Sequence, residues 1–174
     1  MMSMLLEHAQ KIREGYKYSA DEKMIPTAFI LSDPTIEVIA MQWKDNKEKY
    51  RMAAMVNHEA RRRKAKSLSF VTDTRWVEGA TFAEYFKLDD PQKMGMDEFQ
   101  RTYHRILAAH GGEVKNLPRQ LWKEAITVFT NGPDFPLTVQ MASYEEGPND
   151  SIIWLPPQLN HDGYKSDLLT DWWS

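Results

Sequence analysis

A chain of 174 residues, 42% hydrophobic and 11% aromatic, is long enough to bury most of its apolar surface in one domain and too apolar for wholesale disorder. It has no cysteine, which excludes a disulfide framework, a thiolate nucleophile and any Cys-ligated metal or iron-sulfur site, and fits a reducing, cytoplasmic setting. The net charge of −3 conceals a split: residues 44–66 carry nine Lys or Arg against three Asp or Glu, a local +6, and the rest of the chain carries −9.

In chain order, Ser3 is placed to cap a helix in which Leu5, Ala9, Ile12 and Tyr16 recur at helical spacing, with Gly15 as its stop. The β-prone runs Ile25 to Leu31 and Ile36 to Trp43, joined by Ser32-Asp33-Pro34, predict a hairpin. Asp45 and Glu48 form a capping-box pair for a second helix, whose apolar stripe is the narrow set Ala53, Val56 and Ala60. The strand that follows alternates Leu68, Phe70, Thr72, Thr74 and Trp76 with Ser69, Val71, Asp73, Arg75 and Val77, which predicts one face more apolar than the other. A helix between two strands predicts a crossover lying on the sheet.

From Gly79 to about Leu121 the pattern turns helical. Thr81 and Glu84 match a capping box, and Met96, Phe99, Tyr103, Ile106, Leu107 and His110 form one face ending at Gly111-Gly112. Pro118 opens a short turn, and Ala125 to Thr130, Leu137 to Tyr144 and Ser151 to Leu155 predict an antiparallel meander. The expected fold is therefore α+β. It has a central, mostly antiparallel or mixed sheet of about five to six strands flanked by helices, in the order αββαβ, helical insert, βββ. One domain is expected over 1–174, with a helical insertion at about 79–121 and a C-terminal tail at about 156–174.

This element order resembles the roadblock or profilin-like layout. The segments Ile25 to Trp43, FVTDTRWV within Leu68 to Val77, and Glu124 to Leu155 (EAITVFTNGPDF, LTVQMASYEEG, SIIWLPP) are similar to small uncharacterised bacterial and phage α/β proteins. That resemblance implies a phage or mobile-element accessory protein and carries no activity with it.

The charge split points to candidate binding residues. Lys47, Arg51, Arg61, Arg62, Arg63, Lys64 and Lys66 form a basic face suited to an acidic protein surface, to a second copy of the chain or to nucleic-acid phosphates. Cations at a helix C-terminus also complement its macrodipole without binding anything. Near the C-terminus, Leu168, Leu169, Trp172 and Trp173 with their acidic neighbours have the make-up of an anchor peptide, or of a segment docked on its own domain.

The histidines His8, His58, His104, His110 and His161 show no metal-ligand spacing: His58-Glu59 lacks a second His one helical turn on, and His104 and His110 are six apart. No metal and no cofactor is expected. Asp89-Asp90, Asp97-Glu98 and Glu145-Glu146 are solvated or dipole-complementing acids as readily as an acid and base pair. The chain has no nucleophile elbow, P-loop or GxGxxG turn. Two function classes follow: a non-catalytic protein-interaction or accessory protein, with host-factor binding or a virion role, and a nucleic-acid binder or nucleic-acid-acting hydrolase using the basic helix 44–66. The N-terminus is too polar for a signal-peptide core, and no apolar run approaches the roughly 20 residues of a membrane span, so neither secretion nor membrane insertion is expected.

Overall fold

The helix of residues 46–62 and the strand after it sit where the alternation and capping residues place them. The computed structural model describes residues 2–16 and 23–160. Its elements are α1 (Met2–Glu14), β1 (Thr27–Ser32), β2 (Thr35–Ala40), α2 (Asn46–Arg62), β3 (Ser67–Val77), α3 (Gly79–Tyr85), α4 (Pro91–Met94), α5 (Met96–Ala109), β4 (Trp122–Gly132), β5 (Phe135–Glu146), β6 (Ile152–Trp154) and β7 (Gln158–Asn160). The fold is α+β. The strands are ordered β2-β1-β3-β4-β5-β6, and β7 also pairs with β5. The chain forms two compact units, one running to Asp73 and resuming at Ile126, the other spanning Thr74–Ala125.

In the first unit β1 pairs antiparallel with both β2 and β3, so β2 and β3 run parallel with β1 between them and α2 connects them. The hairpin turns at Asp33-Pro34, a cis peptide bond. Helices cover both sheet faces. Val56 and Ala60 of α2 pack with Ala28, Ile30, Leu68, Phe70, Phe129 and Val139. On the opposite face Leu6 and Ala9 of α1 pack with Val71, Ile126, Val128, Ala142 and Tyr144. Consequently Ser67 to Thr72 of β3 is buried on both faces, where alternation alone predicts one apolar side. Ser69 and Thr130 satisfy each other's hydroxyls at 2.8 Å in this interior.

Capping explains the helix ends. The Asp45 carboxylate accepts the Glu48 N–H and the Glu48 carboxylate accepts the Lys44 N–H, each at 2.8 Å, so the predicted box forms with its return bond one residue upstream. At the other end Ala65 N–H donates to Ala60 O and Lys64 N–H to Arg61 O, a Schellman pair that places Lys64 at φ 51°. Helix α3 ends the same way, with Lys87 at φ 54° and Leu88 N–H donating to Ala83 O.

Two expectations shift by a residue or more. Helix α1 begins at Met2, so Ser3 lies inside its first turn, and its buried stripe is Leu6, Ala9 and Arg13 while Ile12 and Tyr16 are exposed. The α3 capping pair is displaced upstream: Glu78 is the N-cap, and Thr81 Oγ1 donates to its carboxylate at 2.7 Å.

The second unit holds α3, α4 and α5 around Phe82, Ala83, Phe99, Leu117, Leu121 and Trp122. Phe82 lies 6.1 Å edge-to-face from Phe99 and 5.1 Å from Tyr103, ring centroid to centroid. Helix α5 stops at the predicted Gly111-Gly112, where Gly112 N–H donates to Leu107 O. Arg119 lies over the Trp122 ring at 4.1 Å and Arg75 at 5.4 Å.

Candidate interaction surface

Helix α2 buries Ala53, Val56 and Ala60, the stripe its sequence predicts, and leaves its cations outside. These do not form one patch. Lys47 and Arg51, exposed and one turn apart, lie in the first half of the helix, roughly 15 Å along its axis from the cluster that begins at Arg61. Within that cluster Arg62, Arg63 and Lys66 are held by carboxylates. Arg62 donates to Glu59 at 2.6 and 2.8 Å, Arg63 bonds Glu59 and also Glu37 at 2.8 Å, and Lys66 bonds Asp33 at 2.6 Å. The Arg62 hydrogen bond first, then that from Arg63, holds the Glu59 carboxyl down to about 2 from the usual 4.5. Lys66 likewise lowers Asp33. The C-terminal half of the basic run thus ties α2 to β2 and the hairpin turn.

Leu168, Leu169, Trp172 and Trp173, with His161, lie outside the described residues. The acidic pairs are separate surface features: Asp90 caps α4, Asp97 and Glu98 occupy the first turn of α5, and Glu145 and Glu146 are exposed at the end of β5. Among the described residues, no three His, Cys, Asp or Glu side chains are grouped to hold a metal. No helix there is long and apolar enough to cross a membrane.

The most distinctive polar cluster is interior and was not legible as a site. The Asp73 side chain is fully buried; its carboxylate lies 3.2 Å from Arg13 Nε, itself 1% exposed, and 3.6 Å from Lys23 Nζ. It also accepts from the Tyr144 hydroxyl at 2.7 Å and the Met24 N–H at 3.2 Å. The Arg13 guanidinium stacks over the Tyr144 ring at 5.2 Å. These bonds join α1, β3 and β5 and occupy the carboxylate in structure. Asp73 also lines a cavity of about 710 Å³ between residues 23–26 and 41–44.

A different surface is left open. Strand β2 is the first strand of the sheet, with β1 on one side and no described strand on the other. Met41 N–H donates to Pro26 O, which fixes the hairpin phase: odd positions of β2 turn their backbone groups toward β1, and Ile36, Val38 and Ala40 turn theirs outward. Side chains beside this edge are apolar and exposed: Ile36 57%, Val38 59%, Met4 70% and, on the opposite face, Met55 63%. They border two grooves. One, of about 570 Å³, lies between α1 and the hairpin and is lined by Met4, Leu5, His8, Phe29, Ile36 and Val38. The other, of about 640 Å³, lies beside α2 and is lined by Ile39, Met52, Met55 and Val56 with Arg51 and His58.

No family model, curated protein or solved structure matches this chain.

Proposed function

We propose that this chain is a non-catalytic protein-interaction protein that binds through the outer edge of β2 and the two grooves beside it. The observation that carries this reading is that one strand edge, with no described strand beside it, has exposed large apolar side chains on both of its faces, from α1, β2 and α2. Natural sheets blunt their edges with charge, proline or bulges; here Glu37 is paired with Arg63 on one face, while Ile36 and Val38 leave the α1-side face of the edge apolar and exposed, which suits association. Its outward N–H and C=O groups suit an extended protein segment whose alternate side chains enter the two grooves. The occupant is then a protein: a second copy of the chain, or, from the segment resemblance to phage proteins, a host factor or a virion neighbour.

Phosphates are a poorer fit as occupant. Arg62, Arg63 and Lys66 are already neutralised by carboxylates, and the exposed α1-side face of the edge presents Ile36 and Val38, not cations. The test is paired capture from the native host with the wild-type chain and with Ile36→Asp/Val38→Asp. Proteins retained by the wild type and lost with the variant are expected. An identical set on both removes the edge from function, and retained nucleic acid that dissociates steeply with salt favours the nucleic-acid reading.

A further inference from the structure

We infer that the outer edge of β2 pairs with β2 of a second copy, antiparallel about a two-fold axis at Val38. This rests on the reading of that edge as the binding surface and names its occupant. A two-fold axis normal to the sheet keeps like faces together, so directly opposed residues must have the same parity. Two registers then pair the most residues of Thr35–Ala40. In one, Glu37 opposes Glu37 of the second copy as a non-hydrogen-bonded pair, with Cα atoms about 4.5 Å apart and two carboxylates face to face. In the other, Val38 opposes Val38, Ile36 opposes Ala40 and Glu37 opposes Ile39. The second register removes the like-charge contact and leaves each Glu37 with its own Arg63.

Backbone phase allows both registers, and the second uses more of the outward groups. Ile36, Val38 and Ala40 are the residues whose N–H and C=O groups point outward, and each of them falls opposite another such residue, so Val38 meets Val38 as a hydrogen-bonded pair. Apolar burial supports it as well. Ile36 and Val38 of each copy lie on the α1 side and form a continuous apolar ladder across the axis, flanked by Met4. Exposed apolar area on Met4, Ile36, Val38 and Met55 is on the order of 60–100 Å² per side chain. Two copies therefore cover roughly 500–800 Å² on these side chains alone. That is the larger part of the roughly 1,000 Å² of a specific interface, to which the paired strand backbones add.

The absence of native cysteine makes the register directly readable. Sedimentation or light scattering is expected to give twice 20.3 kDa, unchanged between low and high salt, and Val38→Asp is expected to give a monomer with an unaltered far-ultraviolet spectrum. Under mild oxidation Val38→Cys is expected to form a disulfide-linked dimer, because hydrogen-bonded partners place Cα atoms about 5.5 Å apart, within disulfide range. Glu37→Cys is expected to remain uncrosslinked, its two copies lying beyond about 7 Å. A wild-type monomer at all concentrations overturns the inference, as does a dimer unaffected by Val38→Asp; crosslinking of Glu37→Cys in place of Val38→Cys overturns the register. If the wild type is monomeric but host-protein capture is still lost with the edge variant, the edge remains a binding surface for another partner. If both dimerisation and capture ignore the edge variant, the functional reading fails with the inference.

Discussion

Asp73 and Lys64 show how far single residues depart from what their neighbours in sequence advertise. Asp73 sits in an alternating strand and reads as a residue on its more polar side, yet its carboxylate is fully buried and joined to Arg13, Tyr144 and the Met24 N–H. Removing one partner of a buried ion pair leaves the other charge without compensation, which costs about 3–5 kcal/mol. Asp73→Ala is therefore expected to lower stability by that amount in urea unfolding. The double replacement Asp73→Ala/Arg13→Met should recover part of the loss, since the fully buried Arg13 charge is removed along with its partner. With Arg13→Met measured alone to close the cycle, a double-variant loss equal to the sum of the two single losses would show that the pair carries no coupling.

Lys64 presents the opposite case: an exposed residue held at φ 51° to close α2. A left-handed conformation costs a non-glycine residue roughly 1–2 kcal/mol, and glycine escapes that cost. Lys64→Gly is expected to raise the unfolding midpoint by the equivalent of about 1 kcal/mol, and a fall would show that the lysine side chain contributes to the fold.

At the scale of elements, what was legible in the sequence is what local chemistry dictates. Asp45 with Glu48 marked the start of α2, Gly111-Gly112 marked the end of α5, and Ala53, Val56 and Ala60 marked the buried stripe of α2. Helix C-termini closed by lysine at 64 and 87 carried no glycine signal to read. The stripe of α1 was misplaced because Arg13 is polar by type and becomes interior only through Asp73, which is 60 residues away in sequence. The basic run was legible as charge, but its division was not. Which of its cations are spent depends on Glu37 and Asp33, brought near by the hairpin.

The C-terminal end of α2 has a defined pH response. Glu59 is held at about 2 by Arg62 and Arg63, below its usual 4.5. A carboxyl depressed on folding contributes stability that is fully present above the higher value and is lost as pH falls toward the lower one. Wild type should therefore exceed Glu59→Gln in urea midpoint above pH 4.5, and the gap should close as pH approaches 2. A gap that stayed constant across this window would mean that the Glu59 ion pairs do not support the folded helix.

For the whole molecule, the contrast between +6 over residues 44–66 and −9 elsewhere invites an electrostatic account of its associations, and the arrangement of α2 limits that account. Binding to a phosphate backbone releases counterions, so the logarithm of affinity falls with the logarithm of salt by about 0.9 per phosphate neutralised. Carboxylates already hold Arg62, Arg63 and Lys66, and the remaining cations are distributed along a helix whose two halves are separated by the apolar and neutral positions 52–57. One phosphate strand meets no more than about four of them together, giving a slope no steeper than about −4. A duplex titration in rising salt reads this number directly. A shallow slope with weak affinity is the expected result, since the −9 of the remaining chain repels the same strand. A slope well beyond −4 would mean that the Glu59, Glu37 and Asp33 pairs open to release their cations, and would move the function of α2 from holding the edge of the sheet to holding a nucleic acid.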